Sequence, residues 1–226
     1  MRGVIALENE GETGTLGSEG SGSARKAPVV ALLLSAGESY RFGSAPKALA
    51  SLDGESAIAR MARVARSVGV SDVVAVLGAH SGEIGPVLER IGVRFVHHPD
   101  WSQGRTGSIQ AGLSTLEPGV DLLLWPVDHP FVRGSTLSDI LSEAALDGVA
   151  GWFVPTFGGH GGHPVLIRAP LLPYVRALGP DEPLRRLLPR LGPQIRRLPV
   201  ADPWVVSNVD TQEAFAAALS RWRTEG

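Results

Sequence analysis

Arg41 and Lys47 stand in the segment LLLSAGESYRFGSAPKAL, residues 32–49, where an apolar run delivers the chain into a loop of small residues. Such a loop suits phosphate. Small residues let backbone N–H groups approach an anion closely, an arginine clamps oxygens bidentately, and a lysine adds a mobile point charge. Two common phosphate loops are excluded. Gly37 and Gly43 have five residues between them where a Walker A loop has four, Lys47 comes too late for it, and the dinucleotide fingerprint G-x-G-x-x-G is missing. The plainer alternative is an ordinary strand-to-helix loop with surface charges.

Three later segments carry further polar candidates. In HPDWSQGRTGSIQAGL, residues 98–113, Ser108 follows a glycine-rich turn at the start of a helix, where unpaired N–H groups can meet an anion or a base carbonyl; a simple N-cap is the alternative. In LLLWPVDHPFV, residues 122–132, an apolar strand ends at Asp128, which then faces the crevice of a parallel sheet or merely forms a turn. In VSNVDTQEAF, residues 206–215, Asp210 is either a ligand or the N-cap of the last helix, since Glu213 completes a capping-box pattern. His129, His160 and His163 raise the question of zinc, but His160 and His163 share a glycine loop rather than a helix face and lack an obvious third partner.

The elements that must position these residues alternate. Strands are expected at Val29–Ser35, 72–77, 93–97 and 121–127, with helices at 56–68, 83–91, after Gly107 and at 134–146. That alternation predicts an α/β fold with a parallel sheet covered on both faces, without the eight regular units of a TIM barrel. In the helix at 56–68, Arg60, Arg63 and Arg66 fall opposite the apolar stripe and read as solvent-facing. Farther on the pattern loosens into strands around 152–155, 164–168 and 194–199, Pro-broken helices to Leu191, and a last helix at 211–222. The Arg-rich stretch Arg185, Arg186, Arg190, Arg196 and Arg197 reads as a solvated surface, with contact to an anionic substrate as the alternative.

Composition narrows the setting. With 226 residues, 43% of them hydrophobic, and a net charge of −2, the chain has enough apolar material for a sizeable core and no bias toward nucleic acid. Cysteine is absent, which removes disulfides and thiolate chemistry and fits a reducing compartment, so the cytoplasm is expected. The apolar run Gly3–Leu7 meets Glu8 too soon for an export signal or a membrane span. Residues 1–28, rich in Gly, Ser, Thr and Glu, are expected to be a disordered tail before a single domain over residues 29–226.

The order of these segments resembles a known family. S-A-G-E-S-Y-R-F-G followed by P-K is similar to the L-A-A-G-x-S-x-R-x-G…K signature of nucleotidyltransferases, nearest the MobA-like, molybdenum-cofactor branch. Segments 98–113, 122–132, 155–167 (PTFGGHGGHPVLI) and 206–215 match that family in order. The resemblance implies a Rossmann-like three-layer α/β/α sandwich with a mostly parallel sheet. It also implies transfer of a nucleoside monophosphate from an NTP to a phosphorylated acceptor, with pyrophosphate released and Mg²⁺ assisting.

On the matching positions, Ser35, Ala36, Gly37, Glu38, Ser39, Arg41, Lys47, Gly107 and Ser108 would bind the nucleotide. Arg41, Lys47 and Asp128 would be catalytic, Asp128 and Asp210 would hold the metal, and Gly162 and His163 would line the acceptor side. The Ala36-Gly37 pair resembles the cytidylyl version of the loop, which points to CTP, and the acceptor so implied is molybdenum-bearing molybdopterin, with a molybdoenzyme or a cofactor-delivery protein as partner. Four positions depart from the family pattern: Ser35, Pro126, Asn208 in the place of an acidic residue, and GPDEPLRRLL at 179–188 in the place of G-D-x-G. These departures keep open a sugar phosphate or another small phosphorylated acceptor, and a binding module for a nucleotide or pterin without turnover.

Overall fold

A computed structural model describes residues 27–43 and 45–225; the tail expected over residues 1–28 lies, except for Ala27 and Pro28, outside the described residues. In chain order the first elements are β1 (Val29–Ser35), β2 (Ser51–Leu52), β3 (Glu55–Ser56), α1 (Ala57–Ser67), β4 (Asp72–Leu77) and α2 (Ser81–Arg90). Next come β5 (Arg94–His97), α3 (Arg105–Leu113), β6 (Asp121–Pro126), α4 (Gly134–Leu146), β7 (Trp152–Phe157) and β8 (His160–Gly161). The chain continues through β9 (Val165–Ile167), α5 (Leu172–Arg176), α6 (Leu188–Leu191), β10 (Ile195–Pro199) and α7 (Gln212–Glu225). No helix among the described residues is long and apolar enough to cross a membrane.

The main sheet runs in the order β10-β7-β9-β6-β1-β4-β5, with β8 folded back on β7. β1 lies between β4 and β6 and is parallel to both. All seven of its residues are buried, because a central strand covered on both faces has no polar side to show. Its side chains alternate between two cores: Val29, Ala31 and Leu33 pack into the layer built on α1 and α4, and Val30, Leu32 and Leu34 into the one built on α3 and α5. β9 is the exception to the parallel rule, running antiparallel between β6 and β7. On the α3 side, a Cβ at Gly112 would lie 2.5 Å from a Leu32 methyl, so glycine is what lets the helix settle against β1.

One expectation fails. Arg60, assigned by its spacing to the solvent face of α1, is only 6% exposed. It donates to the carbonyls of Pro130 and Val132, and its guanidinium lies 5.1 Å from the Trp222 ring centroid on α7. Burial pushes its pKa down to about 10, so it remains charged at neutral pH. Helical periodicity identifies the face a residue occupies but not what later segments lay over that face. Arg63 and Arg66 meet the expectation and are exposed.

Replacing Arg60 with Met keeps most of the volume but strands two buried carbonyls. Arg60→Met should cost about 2–4 kcal/mol in urea unfolding, whereas Arg63→Met, which loses an exposed pair with Glu55, should cost under about 1 kcal/mol.

Candidate active site

The chain leaves β1 for β4 and β5 on one side and returns to β6 on the other, so the sheet has its switch point at β1 and β6. A cavity of about 590 Å³ opens at the carboxyl ends of these two strands. Ser35, Ala36, Gly37, Ser39, Arg41 and Lys47 line it together with Ser108, Asp128 and Asp210. A Cβ added at Gly37 would meet no protein atom within 4 Å, and its backbone does not need the left-handed region. Neither packing nor conformation demands glycine there, and what its small size leaves open is the cavity itself.

The loop is held from both sides. Ser39 takes φ 55°, its carbonyl accepts from the Phe42 amide at 2.6 Å, and Phe42 is buried edge-on against Phe215 of α7 at 5.8 Å. On the outer side His80 Nε2 lies 2.8 Å from the Glu38 carbonyl oxygen and Nδ1 lies 2.9 Å from the Glu83 carboxylate. A carbonyl and a carboxylate both only accept, so the doubly protonated ring fits best. The Glu38 bond first and the Glu83 bond second raise the His80 pKa. The Glu38 side chain does not line the cavity; its contribution is that pinned carbonyl.

Lys47 is 7% exposed, and its ammonium lies 2.7 Å from Asp210 Oδ1. Arg41, far more exposed, donates to Asp210 Oδ2 at 2.9 Å, and the Asn208 amide donates to the same oxygen at 3.0 Å. Burial works against ionisation of Asp210, but Lys47 and Arg41 outweigh it and hold its carboxyl below the usual range. Asp210 is therefore not the helix cap; Thr211 Oγ1 accepts from the Ala214 amide and does that work. Asp128 is tied to this segment by its carbonyl, which accepts from the Val209 amide at 2.8 Å. Its own Oδ1 is buried with no hydrogen-bond partner, and His129 Nε2 stops 3.8 Å short of it.

A carboxylate that lines the cavity and keeps one oxygen without a partner fits a hard divalent cation that takes one or two carboxylates plus phosphate oxygens. The zinc alternative finds no support: His160 is exposed, the His129 and His163 rings lie tilted against each other at 5.1 Å, and no set of three or more His, Asp or Glu among the described residues is grouped to hold a metal.

A second cavity of about 630 Å³ adjoins the first and shares Leu34, Pro126 and Arg105 with it. Gly162 and His163 line it together with an apolar wall that includes Trp152, Ile109 and Leu184. A Cβ at Gly162 would lie 2.3 Å from the Val205 carbonyl oxygen, so a side chain there would push His163 off its backbone bond to that same oxygen, at 2.8 Å. Burial first, and the neighbouring His129 second, push the His163 pKa down to about 4, so the ring is neutral at working pH. From the Arg-rich stretch, Arg185 and Arg197 line the cavity, whereas Arg186 pairs with Glu182 and Arg196 with Glu143.

The divergent segment 179–188 builds this cavity's rim and alters one expectation. The Gly107 N–H, read as available to a ligand, donates instead to the Pro180 carbonyl at 3.0 Å, and Gly107 lines neither cavity. The Ser108 N–H is likewise turned to Gly104, at 3.4 Å, though the residue lines the first cavity. Trp101 and Arg105, in the same quoted segment, line the site but were not singled out by sequence. The Gly107 N–H is taken by a carbonyl 73 residues away, which only the fold reveals.

Comparison with known proteins agrees with this geometry. The MobA-like NTP transferase domain matches residues 31–197. Nicotine blue oxidoreductase of Paenarthrobacter nicotinovorans is 28% identical over 193 residues, which is 82% of this chain and 88% of the relative. Among solved structures, a nucleotidyl transferase from Methanothermobacter superposes with a TM-score of 0.74 at 21% identity, covering 88% of this chain and 99% of its own. Rv0371c of Mycobacterium tuberculosis H37Rv gives 0.72 at 23% identity, covering 86% and 99%, and its complex with manganese gives 0.68 at 21%, again covering 86% and 99%. At these identities the structures show the shared fold, while the domain match across most of the chain shows the family. The chain belongs to the MobA-like NTP transferase domain family, and through it to the nucleotidyltransferases.

Proposed function

We propose that the protein transfers a nucleoside monophosphate, CMP from CTP, to a phosphorylated acceptor, and that Asp128 and Asp210 hold the Mg²⁺ that assists. The observation that carries this reading is Asp128, with one carboxylate oxygen unpartnered, lining the same cavity as Lys47, Arg41 and the open face of Gly37. The Rv0371c complex with manganese supports a divalent cation on this fold. The adjoining cavity, with an aromatic and aliphatic wall and the guanidinium groups of Arg185 and Arg197, suits a phosphorylated heterocycle such as molybdenum-bearing molybdopterin better than a sugar phosphate. The reaction is placed in the cytoplasm, with a molybdoenzyme or delivery protein receiving the product.

Chemistry makes small demands on the protein. An acceptor phosphate oxygen attacks the α-phosphorus of the NTP, the new P–O bond forms in line with the one that breaks, and pyrophosphate leaves with the electron pair. The nucleophile is already an anion, so no strong general base is required. Lys47 and Arg41 hold the nucleotide's phosphates, exchanging their bonds to Asp210 for bonds to phosphate oxygens, and Asp210 is thereby freed beside Asp128. When bound there, the divalent cation supplies charge neutralisation at the phosphates. His163, neutral and with an unpaired buried Nδ1, can hydrogen-bond the acceptor without adding charge. A second reading, in which the two cavities serve a redox reaction, is favoured by the oxidoreductase relative and separated from the first by pyrophosphate release.

The first test is the thermal midpoint with each of ATP, GTP, CTP and UTP, with and without Mg²⁺. A magnesium-dependent rise is expected, largest for CTP, since a ligand at 100 Kd stabilises by about 2.7 kcal/mol. No shift with any nucleotide would remove the transferase reading. Lys47→Ala should lower the rate of pyrophosphate release by about 10²–10³-fold in a folded protein. Gly37→Val should melt within a few degrees of the wild type yet lose the nucleotide-dependent rise.

A pH dependence follows from His80. Its pKa is raised above the ordinary 6.5, so the two-bond grip on the loop is complete below that value and weakens as pH rises through the raised one, where the neutral ring keeps a single N–H. The Kd for the Mg–nucleotide complex should therefore rise by about threefold between pH 6.5 and 8.5, the scale of a partly exposed ion pair. His80→Gln, measured over the same range, should flatten that rise.

A further inference from the structure

The two cavities meet at three residues, Leu34, Pro126 and Arg105, and only Arg105 is charged. Its guanidinium makes no hydrogen bond or ion pair with any described residue, whereas Arg41 is held by Asp210, Arg186 by Glu182 and Arg196 by Glu143. Its root, by contrast, is fixed. Arg105 opens α3, and the residues around it are locked to the 179–188 segment: a Cβ at Gly104 would lie 2.3 Å from the Pro180 carbonyl oxygen, Thr106 donates to the Glu182 carbonyl, and Gly107 donates to that of Pro180. A free cation on a rigid base is thus placed where the contents of the two cavities touch. Burial is the main cause that lowers the pKa of His129 and of His163, and the Arg105 charge adds to it in both.

Bringing two phosphorylated reactants together sets like charges at a few ångströms, and neither Lys47 nor Arg41 lines the second cavity. A planar guanidinium with five donors can bond oxygens of two phosphates at once, which a lysine ammonium does less well. We propose that Arg105 is a further catalytic residue of the transfer, bridging the donor's α-phosphate and the acceptor's phosphate. This inference rests on the transferase reading. It assigns Arg105 the moment of reaction: as the acceptor oxygen bonds to the α-phosphorus and the bond to pyrophosphate breaks, the charge on the non-bridging oxygens stays within its reach. No proton changes hands and no further reactant is needed.

The test uses the full chain and two ligands, CTP with Mg²⁺ for the first cavity and phenyl phosphate, an aromatic monoester, for the second. Calorimetric titration with phenyl phosphate is run with and without a non-hydrolysable CTP analogue, on the wild type, Arg105→Met and Arg105→Lys. A bridging role predicts that Arg105→Met weakens phenyl phosphate by about tenfold or more when the nucleotide site is filled and by clearly less when it is empty, with Arg105→Lys between. Equal losses in both states would make Arg105 a simple wall of the second cavity and overturn the proposal. So would no loss, or no binding of phenyl phosphate to the wild type. If the wild type takes CTP and only the Arg105 pattern fails, the transferase reading survives; if no nucleotide binds at all, both fall.

Discussion

The site depends on one buried charge. Lys47 carries an ammonium with 7% exposure, and a charge so placed persists only when it is paired and hydrogen-bonded. Asp210 provides the pair at 2.7 Å from a position 163 residues later in the chain. That bond fastens the loop after β1 to the segment before α7, and the segment is fastened in turn to the end of β6 by the bond from the Val209 amide to the Asp128 carbonyl. Three stretches far apart in sequence thereby become one wall of one cavity. Arg41, lying mostly in solvent, adds less to folding and has more freedom to follow a ligand.

The sheet explains why those stretches converge. In a parallel sheet every strand delivers its carboxyl end to the same edge, and the reversal of direction at β1 opens a crevice between the loops after β1 and β6. β9 runs the other way: after β7 and β8 the chain turns back between β6 and β7, and His163, just ahead of β9, comes to lie beside His129. The second cavity is built from β7, β9, β10 and the 179–188 segment together with residues of β1, β6 and α3. The two cavities thus share the strands of the reversal, and the 179–188 segment closes the second.

What could be read from sequence divides along the same line. β1, β4 and β6 were legible because burial on both faces leaves continuous apolar runs, and the loop of small residues with Arg41 and Lys47 stood out by composition and does line a cavity. Arg60 was not, since its burial comes from Trp222 and the 130–132 carbonyls, neither of which is local. For Asp210 the sequence left cap and ligand open, and the ion pairs with Lys47 and Arg41 exclude the cap. Asn208, which stands in the place of an acidic residue of the family pattern, donates its amide to Asp210 and orients it. Arg105 carried no signal beyond its charge, because its position between two cavities is a property of packing.

Charge balance ties these parts together. Around the first cavity stand three cations, Arg41, Lys47 and Arg105, against two carboxylates, Asp128 and Asp210. A nucleoside triphosphate brings about four negative charges, far more than the site's small excess of positive charge can balance. A divalent cation on the carboxylates would make up most of the difference, and it would do so at the moment when Lys47 and Arg41 turn from Asp210 to phosphate. Asp210 is already neutralised by its pairs with Lys47 and Arg41, whereas no described side chain hydrogen-bonds Asp128 Oδ1, so it is beside Asp128 that an added positive charge would gain most.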